Sequence, residues 1–352
     1  MSLKKDIRTF NEDQLKEILT LNSFKPFRAK QILHWIWNKS VHHFDEMSNI
    51  PVNLIKFLKE NFVINCIKVH RMQKSSDGTI KNAIQLYDGY IVECVLIPTK
   101  DRITACVSSQ VGCSLNCKFC ATAKLKRMRN LNPDEIYDQV VLIRKQSEEY
   151  FKRPLTNIVF MGMGEPLLNY EEVKKACGIL MDNKGLDFSR RRITLSTAGI
   201  VPKIKTAHEE IGCMIAVSLH ATENKTRDIL VPINKKWNLE QLLGSLRDDV
   251  KLRNSERVTF EYVMLDGIND TKEDAHRLVR LLQGLPSKIN LIPFNNWTGS
   301  QYKRSSLDRI KAFRDIIIKS RLPSPIRKPR GEDIMAACGQ LKSNSVKEKV
   351  TI

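Results

Sequence analysis

Residues 157–169 read NIVFMGMGEPLLN. A short apolar run ends in two glycines and a carboxylate, and a stretch with helical spacing, 170–183, follows at once. Strand, polar loop, helix is the repeating unit of a parallel sheet covered by helices. The unit recurs on both sides. Upstream, RITACVSS (102–109) precedes a helical segment at 133–149. Downstream, RITLST (192–197), CMIAVSL (213–219), VTFEYVM (258–264) and INLIPF (289–294) alternate with helical spacing at 202–211, 239–253 and 271–284. Six units are too few for a closed eight-fold barrel, so the pattern predicts an α/β fold with an open, partial (β/α)6 barrel. The helix at 133–149 has the clearest start. Asn132 suits the N-cap, Pro133 the first helical position and Glu135 the third, with Leu131 and Ile136 as a hydrophobic staple.

Polar or glycine-rich residues sit just past these strands: 162–166, Ser196-Thr197, Ser218-Leu219-His220, 266–270 and 293–296. All fall at carboxyl ends of parallel strands, the face on which such folds build active sites. The five segments together predict one shared pocket.

The first hundred residues read differently. Asp13–Leu21, Phe27–Lys39 and Pro51–Asn61 have helical spacing. NAIQLYDGYIVECVLIP (82–98) alternates around Asp88-Gly89, which predicts a β-hairpin with both turn residues at positive φ. The expected division is a helical accessory domain at 1–80, a hairpin linker at 81–101, the barrel with a catalytic C-terminal segment at 102–342, and a tail at 343–352.

The chain has 352 residues, 42% apolar and 28% charged, enough for an ordinary core. No run of 18 apolar residues occurs, and MSLKKDIRTFNEDQ has no apolar signal region. A cytoplasmic protein without a membrane partner is expected. Lys and Arg total 58 against 39 Asp and Glu, a formal charge of +19. That imbalance points to a polyanionic partner, and nucleic acid fits it best. Nine cysteines in such a chain suggest metal-binding, catalytic or buried thiols rather than a disulfide framework.

Three of them, Cys113, Cys117 and Cys120, fall in CSLNCKFC. A closed zinc site would want a fourth ligand. No His lies in the loop, and the nearest further Cys is Cys106. A [4Fe–4S] cluster normally takes four thiolates; with three, one iron stays open to a substrate or cofactor. Spacing alone leaves both metals standing.

The run Cys113-x3-Cys117-x2-Cys120, with Phe119 before the last Cys, resembles the radical S-adenosylmethionine (SAM) signature. The resemblance implies a [4Fe–4S] cluster on these three thiolates, SAM chelated at the open iron, and the radical SAM partial barrel. It casts Gly164 and Glu165 as contacts to the SAM amino group, and Ser196, Ser218, Leu219, His220 and Asn295 as the rest of that site. Further motifs bring the match to the RlmN type of RNA adenine-C2 methyltransferases. They are SSQVGCSLNCKFCATA, FMGMGEPLLN, SLHATENKTRDILVPIN, IPFN and RKPRGEDIMAACGQL, in order between about residue 10 and 342.

The family acts on 23S ribosomal RNA and on transfer RNA, and it uses two SAM per turnover. Carbon C2 of adenine is too electron-poor to attack a methyl group, so the family uses radicals. A cysteine takes a methyl from one SAM. The radical from a second SAM abstracts hydrogen from it, and the methylene radical adds to C2. A second cysteine then releases the product by forming a disulfide. Carried over, Cys338 matches the methyl carrier, Cys106 the resolving cysteine and Glu93 the proton acceptor, with the Cys106 thiolate as the other candidate base. An electron donor such as a flavodoxin-type reductant and a monomeric state are also implied.

Cys66, Cys94, Cys177 and Cys213 match no role and are expected to pack. Lys124, Lys126, Arg127 and Arg129, Arg190–Arg192, Lys235-Lys236, and Arg327, Lys328 and Arg330 are expected to border the pocket and meet RNA phosphates. Lys126 stands where relatives often have Gly, which predicts a less bent loop of the same length. A C8-methylating resistance enzyme is the nearest alternative. Pro166 after Glu165 and the stretch 327–331 favour C2. A zinc-stabilised RNA-binding protein is the non-catalytic alternative.

Overall fold

The computed structural model describes residues 4–183, 185–253 and 256–342. The expected tail at 343–352 lies outside them. Nine strands form one sheet: β1 (Lys68–Lys74), β2 (Ile80–Gln85), β3 (Ile91–Pro98), β4 (Ile103–Cys106), β5 (Asn157–Phe160), β6 (Ile193–Thr197), β7 (Met214–Ser218), β8 (Val258–Met264) and β9 (Ser287–Pro293). Their spatial order is β9-β8-β7-β6-β5-β4-β3-β2-β1. Strands β4 to β9 are parallel, the six expected, and β1 to β4 are antiparallel neighbours. Strands β4, β7 and β8 are largely buried on both faces and read as near-continuous apolar runs, whereas β5, β6 and β9 alternate buried and half-buried positions. The hairpin is thus not a free connector but an antiparallel extension of the same sheet.

Its turn differs from expectation. Leu86 N–H donates to Tyr90 O at 2.8 Å and Gly89 N–H to Leu86 O at 3.0 Å. Among the two turn residues only Gly89 has positive φ, +86°. A three-residue loop with Gly in the left-handed region replaces the two-residue turn, so Asp88 keeps an ordinary backbone.

Helix α4 (Pro133–Phe151) begins as the sequence requires, with Asn132 N–H donating to Glu135 Oε2 at 2.9 Å. Two later helices are shorter than their periodicity suggested. Val201–Thr206 and Leu239–Gly244 each continue into a five-residue π turn, Ala207–Ile211 and Ser245–Asp249. Gly212, at φ +72°, ends the first.

Helices α1 (Glu12–Leu21), α2 (Arg28–Trp37) and α3 (Val52–Asn61) pack around their own apolar cluster, which includes Ile7, Leu15, Ile32, Ile36 and Leu58. This module rests on α4. Trp37 meets Tyr137 edge-on at 5.1 Å, and Tyr137 Oη–H donates to Trp37 O at 2.7 Å. Arg8 is buried at the joint. It donates to both carboxylate oxygens of Asp138 at 3.0 Å and to Asp134 Oδ2 at 2.9 Å, and it also bonds Asn65 O. Burial pushes Asp134 up to about 7 and raises Asp138, while Arg8 pulls both down. Among the described residues no helix is long and apolar enough to cross a membrane.

Candidate active site

The cysteine loop leaves the sheet after β4. Gln110–Val111 pairs with Arg129–Asn130 and closes its base. Gly112 has φ +74°, and a Cβ there would lie 2.4 Å from Lys126 O, so only glycine fits this approach. Lys126 therefore contributes its backbone to the bend and does not straighten it. Asn116 takes the left-handed conformation, φ +56°. The loop is fastened from outside by Lys118 N–H to Leu230 O (3.0 Å), Trp297 Nε1–H to Phe119 O (3.0 Å) and Ala121 N–H to Gly339 O (2.7 Å).

Cys113, Cys117 and Cys120 line one cavity together with Gly164, Glu165, Ser196, Ser218 and His220. The chain thus brings Gly162, Gly164 to Pro166, Ser196, Thr197, Ser218, His220 and Phe294 to one place. Burial pushes the Cys113 thiol up to about 12 and raises those of Cys117 and Cys120. Cys117 also feels the other two, so ionising this set needs added positive charge. Among the described residues no three His, Cys, Asp or Glu side chains gather as they would around a single metal ion. Three thiols lining one cavity are a donor set that can hold an iron–sulfur cluster at three of its corners.

Glu165 faces these thiols and is 3% exposed. Its Oε2 accepts from Ala198 N at 2.8 Å and its Oε1 from Leu167 N at 3.1 Å. Burial pushes its carboxyl up to about 7. Among the described residues no cationic side chain pairs with it, and a buried carboxylate can accept charge-assisted hydrogen bonds. Its loop is set by Gln110, whose Oε1 accepts from Glu165 N at 2.9 Å, and by Gly164, where a Cβ would meet Gln110 at 2.5 Å. His220 adopts φ +59° and stands edge-on to Phe119 at 4.5 Å. Its Nδ1 accepts from Val263 N at 3.1 Å, and burial pushes the ring down to about 3, so it is a neutral side chain.

Cys338 lies on a strap that crosses the open face. Glu332, at its start, pairs with Arg304. Asn295 Nδ2–H donates to Cys338 O at 3.0 Å, Gln340 Nε2–H to Asn296 O at 2.7 Å, Thr122 Oγ1–H to Leu341 O at 2.6 Å and Lys342 N–H to Glu93 Oε2 at 2.8 Å. Cys338 is exposed and lines both the thiol cavity and a second cavity inside the barrel. Burial pushes its thiol up to about 11 against the pull of Arg327. Cys106, at the end of β4, is close enough to repel a Cys338 thiolate, and burial pushes it up to about 12.

Several expected residues stand elsewhere. Leu219 is buried in the core and lines neither cavity; its backbone O accepts from Arg227. Asn295 lines the second cavity, not the first. Glu93 lines neither and is held by Lys81 at 3.4 Å and by the strap. Segment 266–270 is outside the pocket, because Asp266 and Asp270 pair with Arg309. Of the basic residues, Arg129 is spent on Glu135 and Asp88 at 2.7 and 2.6 Å, and Arg327 points inward to Glu261 at 3.5 Å. Lys124, Lys126, Arg127, Lys235, Lys236 and Lys328 are exposed.

Sequence reading missed two charged residues. Arg227 is 0% exposed and reaches Ala198 O at 2.7 Å, Ser218 O and Leu219 O at 3.0 Å, and Asn234 Oδ1 at 2.9 Å. It ties the loops after β6 and β7 together behind Cys117. Glu261, on β8, is 4% exposed and lines both cavities.

A six-stranded parallel half-barrel with a tri-cysteine loop at its carboxyl face defines a radical SAM protein, and residues 107–282 match the model of the radical SAM superfamily. That superfamily implies an iron–sulfur cluster and SAM. Residues 5–64 match the ribosomal RNA large subunit methyltransferase N-terminal domain. The chain is 52% identical over 332 residues to the dual-specificity RNA methyltransferase RlmN of Paracoccus denitrificans, covering 92% of this chain and 85% of that one. It is 50% identical over 344 residues to a probable counterpart from Christiangramia forsetii, covering 97% of each. The crystal structure of a radical SAM methyltransferase from Sphaerobacter thermophilus superposes with a TM-score of 0.90 at 39% identity, over 96% of this chain and 99% of that one. The chain belongs to the RlmN family of radical SAM RNA methyltransferases.

Proposed function

We propose that this chain methylates C2 of adenosine in 23S ribosomal RNA and in transfer RNA, with the methyl group carried on Cys338. The observation that carries the reading is the position of Cys338. Met161, Glu261, Ile292 and Cys338 are the described residues lining both cavities. A carrier must face the methyl donor on one side and the acceptor on the other, and of these four the cysteine alone has a thiol, whose thiolate is the strongest nucleophile among them. When bound, a [4Fe–4S] cluster and SAM supply one-electron reductive cleavage on one occasion and an electrophilic methyl group on another. Cys113, Cys117 and Cys120 would hold the cluster. Gly164, Glu165, Ser196, Ser218 and His220 line the adjoining space for SAM. Leu219 contributes through its backbone, and Asn295 by fixing the Cys338 carbonyl.

After transfer to C2, Cys106 Sγ attacks Cys338 Sγ. The step requires that the adduct has given its C2 proton to a base and one electron to the bound cluster as acceptor. The Cys106 thiolate would then form the disulfide with Cys338. The electron pair of the broken Cys338 carbon–sulfur bond would go to the former methylene carbon, which takes up a proton to become the C2 methyl group. A flavodoxin-type reductant or thiol must later reduce the disulfide. Glu93, raised by burial and next to the strap, is the carboxylate assigned to take the C2 proton. Lys342 N–H occupies its Oε2, so the strap has to shift for that step.

The exposed cations Lys124, Lys126, Arg127, Arg190–Arg192, Lys235 and Lys236 are assigned to RNA phosphates, and the module at 1–80 to further RNA docking. The same reading places the protein in the cytoplasm as a monomer, with the boundaries 81–101 and 102–342 for hairpin and barrel. Pro166 and the stretch 327–331 favour C2 over C8. The test is the intact mass of protein incubated with SAM and reductant but no RNA. Wild type should gain a single methyl group that maps to Cys338, and Cys338→Ser should gain none. A methyl on another residue refutes the carrier.

A further inference from the structure

The second cavity measures about 390 Å³, within the span of about 300–1,000 Å³ for small-ligand sites. A closed parallel barrel fills its interior with layers of branched apolar side chains. Here Thr104, Asn157, Thr194, Thr259, Asn290 and Glu261 hold inward positions on β4, β5, β6, β8 and β9. Thr104 and Glu261 are 8% and 4% exposed. A hollow, polar interior is costly unless something polar fills it.

Glu261 is the one acidic side chain lining this cavity among the described residues. Its Oε1 accepts from Asn290 Nδ2 at 2.8 Å, and Arg327 Nη1 stands 3.5 Å from Oε2. An ionised carboxylate offers about four acceptor sites, so capacity is left for a donor inside the cavity. The remaining charges are positive: Arg102, Lys288, Lys328 and Arg330 also line it. One buried acceptor among several cations fits a flat base with an exocyclic amino group, flanked by phosphates.

We propose that this cavity receives the target adenine extruded from the RNA, with Glu261 accepting from its 6-amino group and the rim cations holding the neighbouring phosphates. The inference rests on the proposed function and extends it to the choice of base. Cys338 then stands in the shared wall between base and thiol cavity. Guanine and hypoxanthine present a 6-oxo group, which the Glu261 carboxylate repels.

The test uses the cluster-loaded protein and transfer RNA transcripts carrying adenine, purine (which lacks the amino group) or hypoxanthine at the target position. Wild type should act on purine with kcat/KM lower by roughly 10- to 100-fold, the size of a lost hydrogen bond to a charged group. Hypoxanthine should be lower still. Glu261→Gln should lose a similar factor on adenine and little more on purine, so that its adenine-to-purine ratio collapses toward one. Wild type using purine as well as adenine overturns the inference without recourse to any variant. So does a Glu261→Gln protein with the wild-type ratio. Wild type that methylates no adenine C2 in any transcript overturns the underlying function, and this inference with it.

Discussion

Arg227→Met removes a buried guanidinium that has no carboxylate in an ion pair with it among the described residues. The side chain donates to three main-chain carbonyls, Ala198 O, Ser218 O and Leu219 O, and to Asn234 Oδ1, all between 2.7 and 3.0 Å. Burial pushes its pKa down to about 10, a sign that the charge is costly where it is. Methionine fills much of the volume but satisfies none of the acceptors. Leu219 O keeps its bond from Ala221 N–H at 2.8 Å, so two carbonyls and Asn234 Oδ1 lose their donor, and at about 1–3 kcal/mol each they would cost about 6 kcal/mol. Relief from burying a charge returns part of that, so the net loss should be about 3–5 kcal/mol. Arg227→Lys should fall between, because one ammonium cannot span loops that the planar fork joins. The assay is urea unfolding of anaerobically purified protein, with SAM affinity measured in parallel. Both should fall, since Ala198 and Ser218 line the thiol cavity. An Arg227→Met protein within about 1 kcal/mol of wild type, with unchanged SAM affinity, would refute the argument.

Three further outcomes are expected. Arg8→Met should cost about 3–5 kcal/mol by leaving Asp134 and Asp138 buried without their cation. The loss should shrink from pH 8 to pH 5 as those carboxylates take up protons, and a loss equal at both pH values contradicts the network. His220 is neutral when folded, with its pKa pushed down to about 3 from 6.5. Its contribution is therefore complete above pH 6.5 and is lost as pH falls toward 3, about 4–5 kcal/mol in all. Unfolding curves of His220→Asn should show a shallower slope of stability over that window, and an unchanged slope sinks the assignment. Cys106→Ala should accumulate protein crosslinked to RNA in cells, visible as a nuclease-sensitive band. Free methylated RNA at wild-type levels would remove Cys106 from product release.

The six parallel strands were legible because each carries a short apolar run between helical segments, IVF and MIAV among them. The cysteine spacing and the Gly-Glu loop were legible because each is local. Helix ends were not, where α-helices give way to π turns at Ala207 and Ser245 whose side chains look no different. Segment 266–270 resembled the other pocket loops by position, yet its two carboxylates are drawn to Arg309 on the helix Leu307–Lys319. Arg227 and Glu261 were invisible for a simple reason. A charged residue in sequence reads as surface, and only the assembled fold shows that one stands behind the cysteine loop and the other inside the barrel. The same holds for the strap. Nothing local in AACGQ places Cys338 between two cavities or beside Cys106.

The central claim concerns one carbon atom. RNA from cells carrying and lacking this protein can be digested to nucleosides and the methylated adenosines separated and identified by mass spectrometry against standards. Carbon C2 methylation should appear with the active protein and vanish with Cys338→Ser. An 8-methyl product, or no change in methyladenosine of either RNA class, would contradict the account.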